Sequence, residues 1–573
     1  MVESQLTEPE ASSPAPMPGQ PDSAGGWDEP PDGGLTSPAP RWRRVMVALI
    51  ALVAASALVV QLLPIPLGGG GPQRTSAASS DTVTVLAGTP QSIDPAHHDD
   101  LTSANFVSQL FETLTAVDPS LNIRPALAAS WKVNSDGTQV TFTLRDGLTF
   151  SDGSPLTASD VVHSWRRLFF PRDPSPLASL IADVKGAREL LTGKSTDTST
   201  LGVSAPDPKT VVVDMVQGAG NLPTIVSSAP FAIVPASVGD GEFQPAPGTM
   251  VGSGAYTLAS VSGDSWTLKA NPDYWAGKPR VDTVKMLLTI NGQSPVDAFS
   301  AGTMDLTPVS FADATWLAYD RQLGPSLRED PDLSVSYYGF DTRKGPFADV
   351  RLRQAFAMAI DWRRLARLDD PSASTPATSM VPAGMPGAPT GDFLPAFDVA
   401  KAKQLLAEAG YPNGQGLPPI TFVGAGYGVH DEQILDMLKT NLGVTVNYET
   451  TDLASYQQRL TTDPPDMWSL SWAADYPGPN DFLGVLLGTD STSNQGGWSN
   501  SDFDAAIAQA TSAGDPAKAL AGYTKALQIV QDQVPVVPVS YGRSWSLARD
   551  GLLGASQGGT GILRLAGMAW SGQ

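Results

Sequence analysis

The sequence contains no cysteine and only four histidines. Without cysteine the chain has no disulfide, no thiolate metal site and no Cys nucleophile, and it lacks the lipid-carrying cysteine that anchors bacterial lipoproteins. None of the histidines (His97, His98, His163 and His430) lies in an H-x-x-x-H pair or near carboxylates at metal-ligand spacing. The sequence therefore predicts no protein metal site and no cofactor.

Basic residues are also few, with 36 Lys and Arg against 58 Asp and Glu and a formal net charge of −22. A field of this sign repels phosphate backbones, so nucleic acid is not an expected partner. Catalytic motifs are missing as well. Gly193-Lys-Ser195 ends like a phosphate-binding loop, but Arg188 stands where that loop needs its first glycine, and Gly252-Ser-Gly254 lacks the spacing of a nucleophile elbow. We therefore expect a binding protein and not an enzyme.

The N-terminal region has three parts. Residues 1–40 contain no Lys or Arg and are rich in Pro, Gly, Ser and acidic residues, which predicts a disordered tail. Arg41, Arg43 and Arg44 then precede an apolar run at 45–60 that continues to 67 and predicts a transmembrane signal anchor with a cytoplasmic tail. A linker follows at 68–80, and residues from 81 onward are exported. The alternative is a cleaved signal peptide with its cleavage site at Ser76-Ala-Ala78.

Strand and helix patterns interleave along the exported part, which predicts an α/β fold. Alternating apolar and polar residues indicate strands at 82–86, 139–144, 282–290 and 418–423. Helical periodicity covers 350–360 and 399–409. Thr157 and Asp160 form a capping box in front of a further apolar helix face.

Several ordered blocks of sequence resemble one family. They include Ser92-Ile-Asp-Pro95, Pro125-Ala-Leu-Ala-Ala-Ser-Trp131, Asn271-Pro-Asp-Tyr-Trp275, Ala400-Lys-Ala-Lys-Gln-Leu-Leu-Ala-Glu-Ala-Gly-Tyr411 and Ser471-Trp-Ala-Ala-Asp-Tyr476 followed by Asn480-Asp-Phe-Leu483. In order and spacing these blocks resemble the family 5 solute-binding proteins of ABC importers, which bind oligopeptides and dipeptides. The resemblance runs from about residue 82 to the C-terminus.

This resemblance implies a two-lobed periplasmic-binding-protein-like α/β fold with an inserted subdomain in the first lobe. The first lobe is expected at 81–115, 250–335 and 535–573, the inserted subdomain at 116–249 and the second lobe at 336–534. The chain is expected to cross between the lobes near Tyr337-Tyr-Gly339 and again near Pro535-Val-Val-Pro538.

The resemblance also implies a set of ligand-binding residues. A peptide would pair as a strand with Ser471, Trp472 and Ala473, opposite a first-lobe segment formed by Asp99, Asp100 and Leu101. Asp475 matches the acceptor for the peptide's α-ammonium, for which a carboxylate is the appropriate chemistry. Pocket walls or hydroxyl donors are expected from Tyr476, Tyr337 and Tyr338.

Two positions depart from the oligopeptide pattern. Leu177 stands where such binders carry a tyrosine that faces the ligand, and Ser469 stands where an arginine receives a short peptide's carboxylate. The capture of the ligand's carboxyl end, and with it the ligand's length, therefore stays open.

The implied function is that of an extracytoplasmic, membrane-anchored receptor, monomeric, which delivers peptides to permease subunits and their ATPases. Two alternatives remain. The same fold could bind another solute, such as a glycan, a glycolipid headgroup or a metal chelate, or the chain could be a cell-envelope regulatory protein that has lost transport.

Overall fold

The computed structural model describes residues 81–368, 374–425, 430–555 and 558–572. The predicted tail (1–40), transmembrane anchor (41–67) and linker (68–80) lie outside these residues. Within the described ranges, no helix combines the length and the apolar character that a membrane span requires.

The strands follow one another along the whole described chain. They are β1 (Thr82–Leu86), β2 (Thr115–Val117), β3 (Ile123–Pro125), β4 (Ala128–Val133), β5 (Gln139–Leu144), β6 (Val203–Asp207), β7 (Thr210–Asp214), β8 (Tyr256–Val261), β9 (Ser265–Ala270), β10 (Thr283–Leu287), β11 (Leu306–Val309), β12 (Leu327–Phe340), β13 (Ser374–Pro376), β14 (Thr421–Gly424), β15 (Asn447–Thr450), β16 (Met467–Ala473), β17 (Val536–Ala548), β18 (Leu552–Leu553) and β19 (Ala569–Trp570).

Helices alternate with these strands. They are α1 (Leu101–Leu110), α2 (Ala158–Arg167), α3 (Ala187–Leu191), α4 (Leu222–Ile225), α5 (Pro295–Ser300), α6 (Phe311–Leu317), α7 (Val350–Met358), α8 (Trp362–Ala366), α9 (Val399–Glu408), α10 (Asp431–Leu442), α11 (Leu453–Thr462), α12 (Pro479–Phe482), α13 (Gly484–Leu487), α14 (Ser501–Ser512) and α15 (Pro516–Gln533). Short 3-10 turns lie between them, for example Ala178–Ile181 and Leu565–Gly567.

One mixed sheet extends through both lobes in the order β15-β14-β16-β12-β17-β11-β1-β10-β9-β8, with β13 paired to β17. β1 is parallel to β10 and β11 in the first lobe, and β14 is parallel to β15 and β16 in the second. The long strands β12 and β17 run through both lobes. Apolar side chains cover both faces of the sheet in each lobe, and the last four residues of β12, 337–340, are buried on both sides.

β12 changes register against β17 between Pro331 and Val335. A shift of this kind bends and twists a strand locally. Before the shift β12 pairs with the first-lobe part of β17, and from Ser334 onward it also pairs with β16. Strand pairing therefore puts the passage between the lobes at 331–335, opposite 541–543. The segments 337–339 and 535–538 lie on its second-lobe side.

The inserted subdomain has its own antiparallel sheet, in the order β4-β5-β7-β6. Helix α2 packs against β6 and β7. As predicted, α2 begins with a capping box, in which the Thr157 N–H donates to Asp160 Oδ2 at 2.8 Å. A fully buried ion pair ties this helix to the first lobe, because the Arg167 guanidinium donates to both oxygens of Asp94 at 2.9 and 2.6 Å.

The inserted subdomain also contacts the second lobe, near the end of α14. The Asn221 N–H donates to the Thr511 carbonyl oxygen at 3.0 Å, and the Gly218 N–H donates to Ser512 Oγ at 2.9 Å. The two backbones come so close at Gly220 that a Cβ there would collide with the carbonyl oxygen of Ala513. The inserted subdomain therefore contacts both lobes.

Candidate functional site

The second-lobe strand β16 has a partly open edge. On one side it pairs with β12 over its whole length, from Met467 to Ala473. On the other side, β14 pairs with Met467 and Trp468, and among the described residues the ladder goes no further. The hydroxyl of Tyr456 then bridges the next residue, because it accepts from the Ser469 N–H at 3.0 Å and donates to the Ser469 carbonyl oxygen at 2.6 Å. The edge beyond Ser469 is where an added strand can pair.

The direction of the peptide groups on this edge follows from the strand alternation. The Ala474 N–H donates to the Leu333 carbonyl oxygen at 2.9 Å, so residue 474 faces β12. Since directions alternate along a strand, Ser471 and Ala473 turn their N–H and C=O groups away from β12, on the same side as Ser469. Consistent with this, Ser336 and Ser471 form a close cross-strand pair with their Oγ atoms 2.8 Å apart. The edge thus offers the backbone of Ser471 and of Ala473, both exposed, to a ligand strand.

Asp475 follows this edge after one further residue. Its backbone N–H is occupied, since it donates to Asp481 Oδ2 at 3.0 Å. Its carboxylate has no hydrogen bond or ion pair to any described residue, and burial raises its pKa to about 6. A half-buried carboxylate without a counter-charge is well suited to accept hydrogen bonds from an ammonium group.

Asp481 lies behind Asp475 and is fully buried. Its Oδ2 accepts from the Trp472 indole N–H at 3.1 Å as well as from the Asp475 N–H. Burial, with the nearby charge of Asp475, raises the pKa of Asp481 well above its usual range. No role is predicted for Asp481 from the sequence, although it lies in the same motif block as Asp475, which is the signal that could have identified it. The indole of Trp472 is half-buried and packs against the second-lobe core.

The three predicted tyrosines do not reach the edge of β16. Tyr476 is 1% exposed, packs in the core of the inserted subdomain, and accepts from Asn480 Nδ2 at 3.0 Å. Tyr338 donates to Asp431 Oδ1 at 2.8 Å on one face of the sheet, and Tyr337 packs edge-on against a tryptophan ring on the other. All three are buried packing residues in this structure, and a contact of any of them with a ligand stays a prediction from the sequence.

The predicted first-lobe segment lies near the passage between the lobes. Asp99 is exposed, while Asp100 caps helix α1 by accepting from the Ser103 N–H at 2.9 Å. Leu101 is therefore the first residue of a helix and not part of a strand edge. It is 52% exposed and lies over Gly561, where an added Cβ would come within 2.8 Å of its Cδ2.

The loop at 558–561 links this segment to β16. The Gly559 carbonyl oxygen accepts from the Leu333 N–H at 2.7 Å, and the Leu333 carbonyl oxygen is the one that accepts from Ala474. The loop that lies against Leu101 and the end of β16 are therefore hydrogen-bonded to the same strand residue, Leu333. The structure brings the two predicted segments into one region, although only β16 presents a strand edge there.

Leu177 lies in the inserted subdomain, at the start of the 3-10 turn Ala178–Ile181. It is half-buried, and its N–H donates to Ser175 Oγ at 3.2 Å. Its side chain is apolar, so this position offers a ligand only a surface for packing.

Comparison with known proteins identifies the family. The family model for the bacterial extracellular solute-binding proteins, family 5 Middle, matches residues 122–494. The probable deoxycholate-binding periplasmic protein YgiS of Escherichia coli K12 is 32% identical over 87% of this chain and 94% of its own length. The periplasmic murein peptide-binding protein MppA of the same strain is 31% identical over 86% and 93%.

A solved structure gives the same result for the fold. The unliganded open form of the periplasmic murein tripeptide binding protein MppA superimposes with a TM-score of 0.73 at 29% identity, over 87% of this chain and 99% of that structure. The predicted resemblance and the two-lobed α/β fold are thereby confirmed. The chain belongs to the bacterial extracellular solute-binding proteins of family 5.

Proposed function

We propose that this protein is the solute-binding component of an ABC importer and that it captures peptides by their free amino end. The observation that carries the proposal is the carboxylate of Asp475, which is half-buried and unpaired among the described residues, at the end of an open strand edge. The edge supplies backbone hydrogen bonds that every peptide can make, and the carboxylate supplies a partner for the α-ammonium. Side chains of the ligand contribute little to such recognition, so the receptor accepts many sequences.

The names of the relatives support a peptide but leave a second candidate. MppA is described as binding murein peptides and YgiS as binding deoxycholate, and the two are almost equally similar to this chain. Deoxycholate carries a carboxylate, which Asp475 would repel, whereas an ammonium group would be attracted. The charge at this position therefore favours a peptide.

Binding between two lobes joined by β12 and β17 favours their closure over the ligand, and the closed shape is what a permease distinguishes from the open one. The partners are then permease subunits with their ATPases. The site of action is outside the cytoplasm. Attachment to the membrane through residues 41–67 stays a prediction from the sequence.

A retention experiment tests the proposal. Purified full-length protein is incubated with an enzymatic digest of casein, of which one half has been N-acetylated, together with deoxycholate, and the retained molecules are identified by native mass spectrometry. We expect free-amine peptides to be retained at least about tenfold over their acetylated forms, since one charge-assisted bond contributes this much. Asp475→Asn should remove this preference, and Asp436→Asn, which removes an exposed carboxylate from α10, should keep it. Equal retention of acetylated peptides, or retention of deoxycholate alone, would contradict the proposal.

A further inference from the structure

The buried carboxyl of Asp481 holds two parts of the proposed ammonium site at once. Its Oδ2 accepts from the indole N–H of Trp472 at 3.1 Å and from the backbone N–H of Asp475 at 3.0 Å. The first bond fixes the orientation of an aromatic side chain on β16, and the second fixes the backbone from which the Asp475 carboxylate extends. One oxygen atom thus sets the relative positions of two candidate ligand-binding groups.

The surroundings of Asp481 contain no compensating cation in the described part of the chain. Asp475, in the segment before α12, is the charged group that acts on it. The buried hydroxyl of Tyr476 interacts with Asp481 and with Tyr523 of α15. Its second oxygen, Oδ1, is buried and has no hydrogen-bond partner among the described residues. Burial and the nearby charge of Asp475 raise the pKa of Asp481 further than burial raises that of Asp475, which favours the proton on the more deeply buried Asp481.

We propose that Asp481 is the positioning residue of the amino-terminus site, fixing the Trp472 indole and the Asp475 backbone through Oδ2 while leaving Asp475 as the single charge that meets the ligand. The inference rests on the proposed function, because it assigns Asp481 a role toward the ammonium contact of Asp475. Asp481 itself does not touch the ligand. A neutral acceptor is the chemistry needed there, because it satisfies two buried N–H donors without competing for the ligand's charge.

Two substitutions of the same branched shape separate positioning from simple packing. Asp481→Asn keeps a neutral acceptor oxygen for both N–H donors, whereas Asp481→Leu replaces the oxygens by larger methyl groups and removes the acceptor. The probe is a synthetic copy of the casein peptide that the wild-type protein retains most strongly, used with a free and with an acetylated amino end. We expect the preference for the free amine to fall at least about tenfold in Asp481→Leu and to stay within about threefold of wild type in Asp481→Asn.

A second readout does not depend on binding. The indole ¹⁵N–¹H resonance of Trp472, assigned as the signal that disappears in Trp472→Phe, should shift in Asp481→Leu and keep its position in Asp481→Asn. If Asp481→Leu fails to fold, Asp481→Asn still tests the positioning role of Asp481. Loss of the preference for a free amine in a folded Asp481→Asn variant would overturn the proposal. An equal loss of affinity for both forms of the peptide in Asp481→Leu would also overturn it.

These variants distinguish a failure of the proposed function from a failure of the positioning role of Asp481. If Asp475→Asn keeps the full preference for a free amine, then Asp475 does not bind the ammonium, whatever the Asp481 variants do. If Asp475→Asn loses the preference while Asp481→Leu keeps both the preference and the Trp472 resonance, then the ammonium contact stands and the positioning role of Asp481 is refuted.

Discussion

Peptide affinity should fall as the solution is acidified below about pH 6. The proposed contact needs an ionised Asp475, and burial raises the pKa of this carboxyl to about 6 in the unliganded protein. In the complex, the ligand's ammonium group stabilises the ionised form, so the pKa of Asp475 falls on binding. Protons and ligand therefore compete for the same carboxylate, and acid weakens binding.

The size of the effect follows from that pKa. With a value of about 6, roughly nine-tenths of Asp475 is ionised at about pH 7 and roughly one-tenth at about pH 5, so the dissociation constant should rise about tenfold between them. The peptide's own amino group stays largely protonated over this range. Near pH 5.5 each binding event should also release about 0.8 proton, and near pH 7 about 0.1.

Isothermal titration calorimetry measures both quantities. Titrations at the two pH values give the change in affinity, and repeated titrations in buffers of different ionisation enthalpy give the proton release. The acetylated peptide and the Asp475→Asn variant are the controls, and neither should show the pH dependence. A dissociation constant that stays constant from about pH 7 to about pH 5, or one that falls on acidification, would refute the assignment of the ammonium contact to Asp475.

Three further perturbations test other parts of the structure. Asp475→Asn should stabilise the unliganded protein above about pH 6 by about 1 to 3 kcal/mol, because a carboxyl whose folded pKa exceeds its unfolded value costs stability when ionised. Calorimetric scans should show that this gain in stability vanishes toward about pH 4. A variant that is less stable than wild type at neutral pH would contradict the prediction. Arg167→Met should cost about 3 to 5 kcal/mol in urea unfolding, since it leaves the carboxylate of Asp94 buried without its partner, and an unchanged midpoint would count against a structural role for this ion pair. Gly220→Ala should weaken peptide affinity severalfold although it lies away from β16, because its Cβ would collide with the carbonyl oxygen of Ala513 in the second lobe. Calorimetry with the same peptide measures this affinity, and an unchanged value would show that the contact is not needed in the bound form.

Elements with a strong local pattern could be predicted from the sequence almost to the residue. The alternating segments at 82–86 and 139–144 are β1 and β5, and the helix expected at 399–409 is α9, Val399–Glu408. The strand expected at 418–423 begins only at Thr421, because the prolines before it have no N–H for the ladder. Such limits follow from backbone chemistry that is visible in the sequence.

Burial on β12 could not be predicted in the same way. Adjacent residues of a strand point to opposite faces, so Tyr337 and Tyr338 cannot both face one cleft. Whether one of them faces solvent or ligand depends on the layers packed on each side of the sheet, and these come from helices far away in sequence. In this protein both faces are covered at these positions, so both tyrosines are core residues.

The pair Asp475 and Asp481 shows most clearly what tertiary structure adds. In the sequence they are two aspartates six residues apart, each directly followed by an aromatic residue and with the same intrinsic pKa. In the fold, one extends from the end of a strand edge with its carboxylate unpaired among the described residues, while the other is enclosed and already accepts two hydrogen bonds. Because the enclosed one gives up its charge more readily, the half-buried one is left to carry it. The chemical difference between them arises from their unequal burial and from the charge of one on the other, and so the proposed assignment of the ligand contact to Asp475 rests on the structure as much as on the motif.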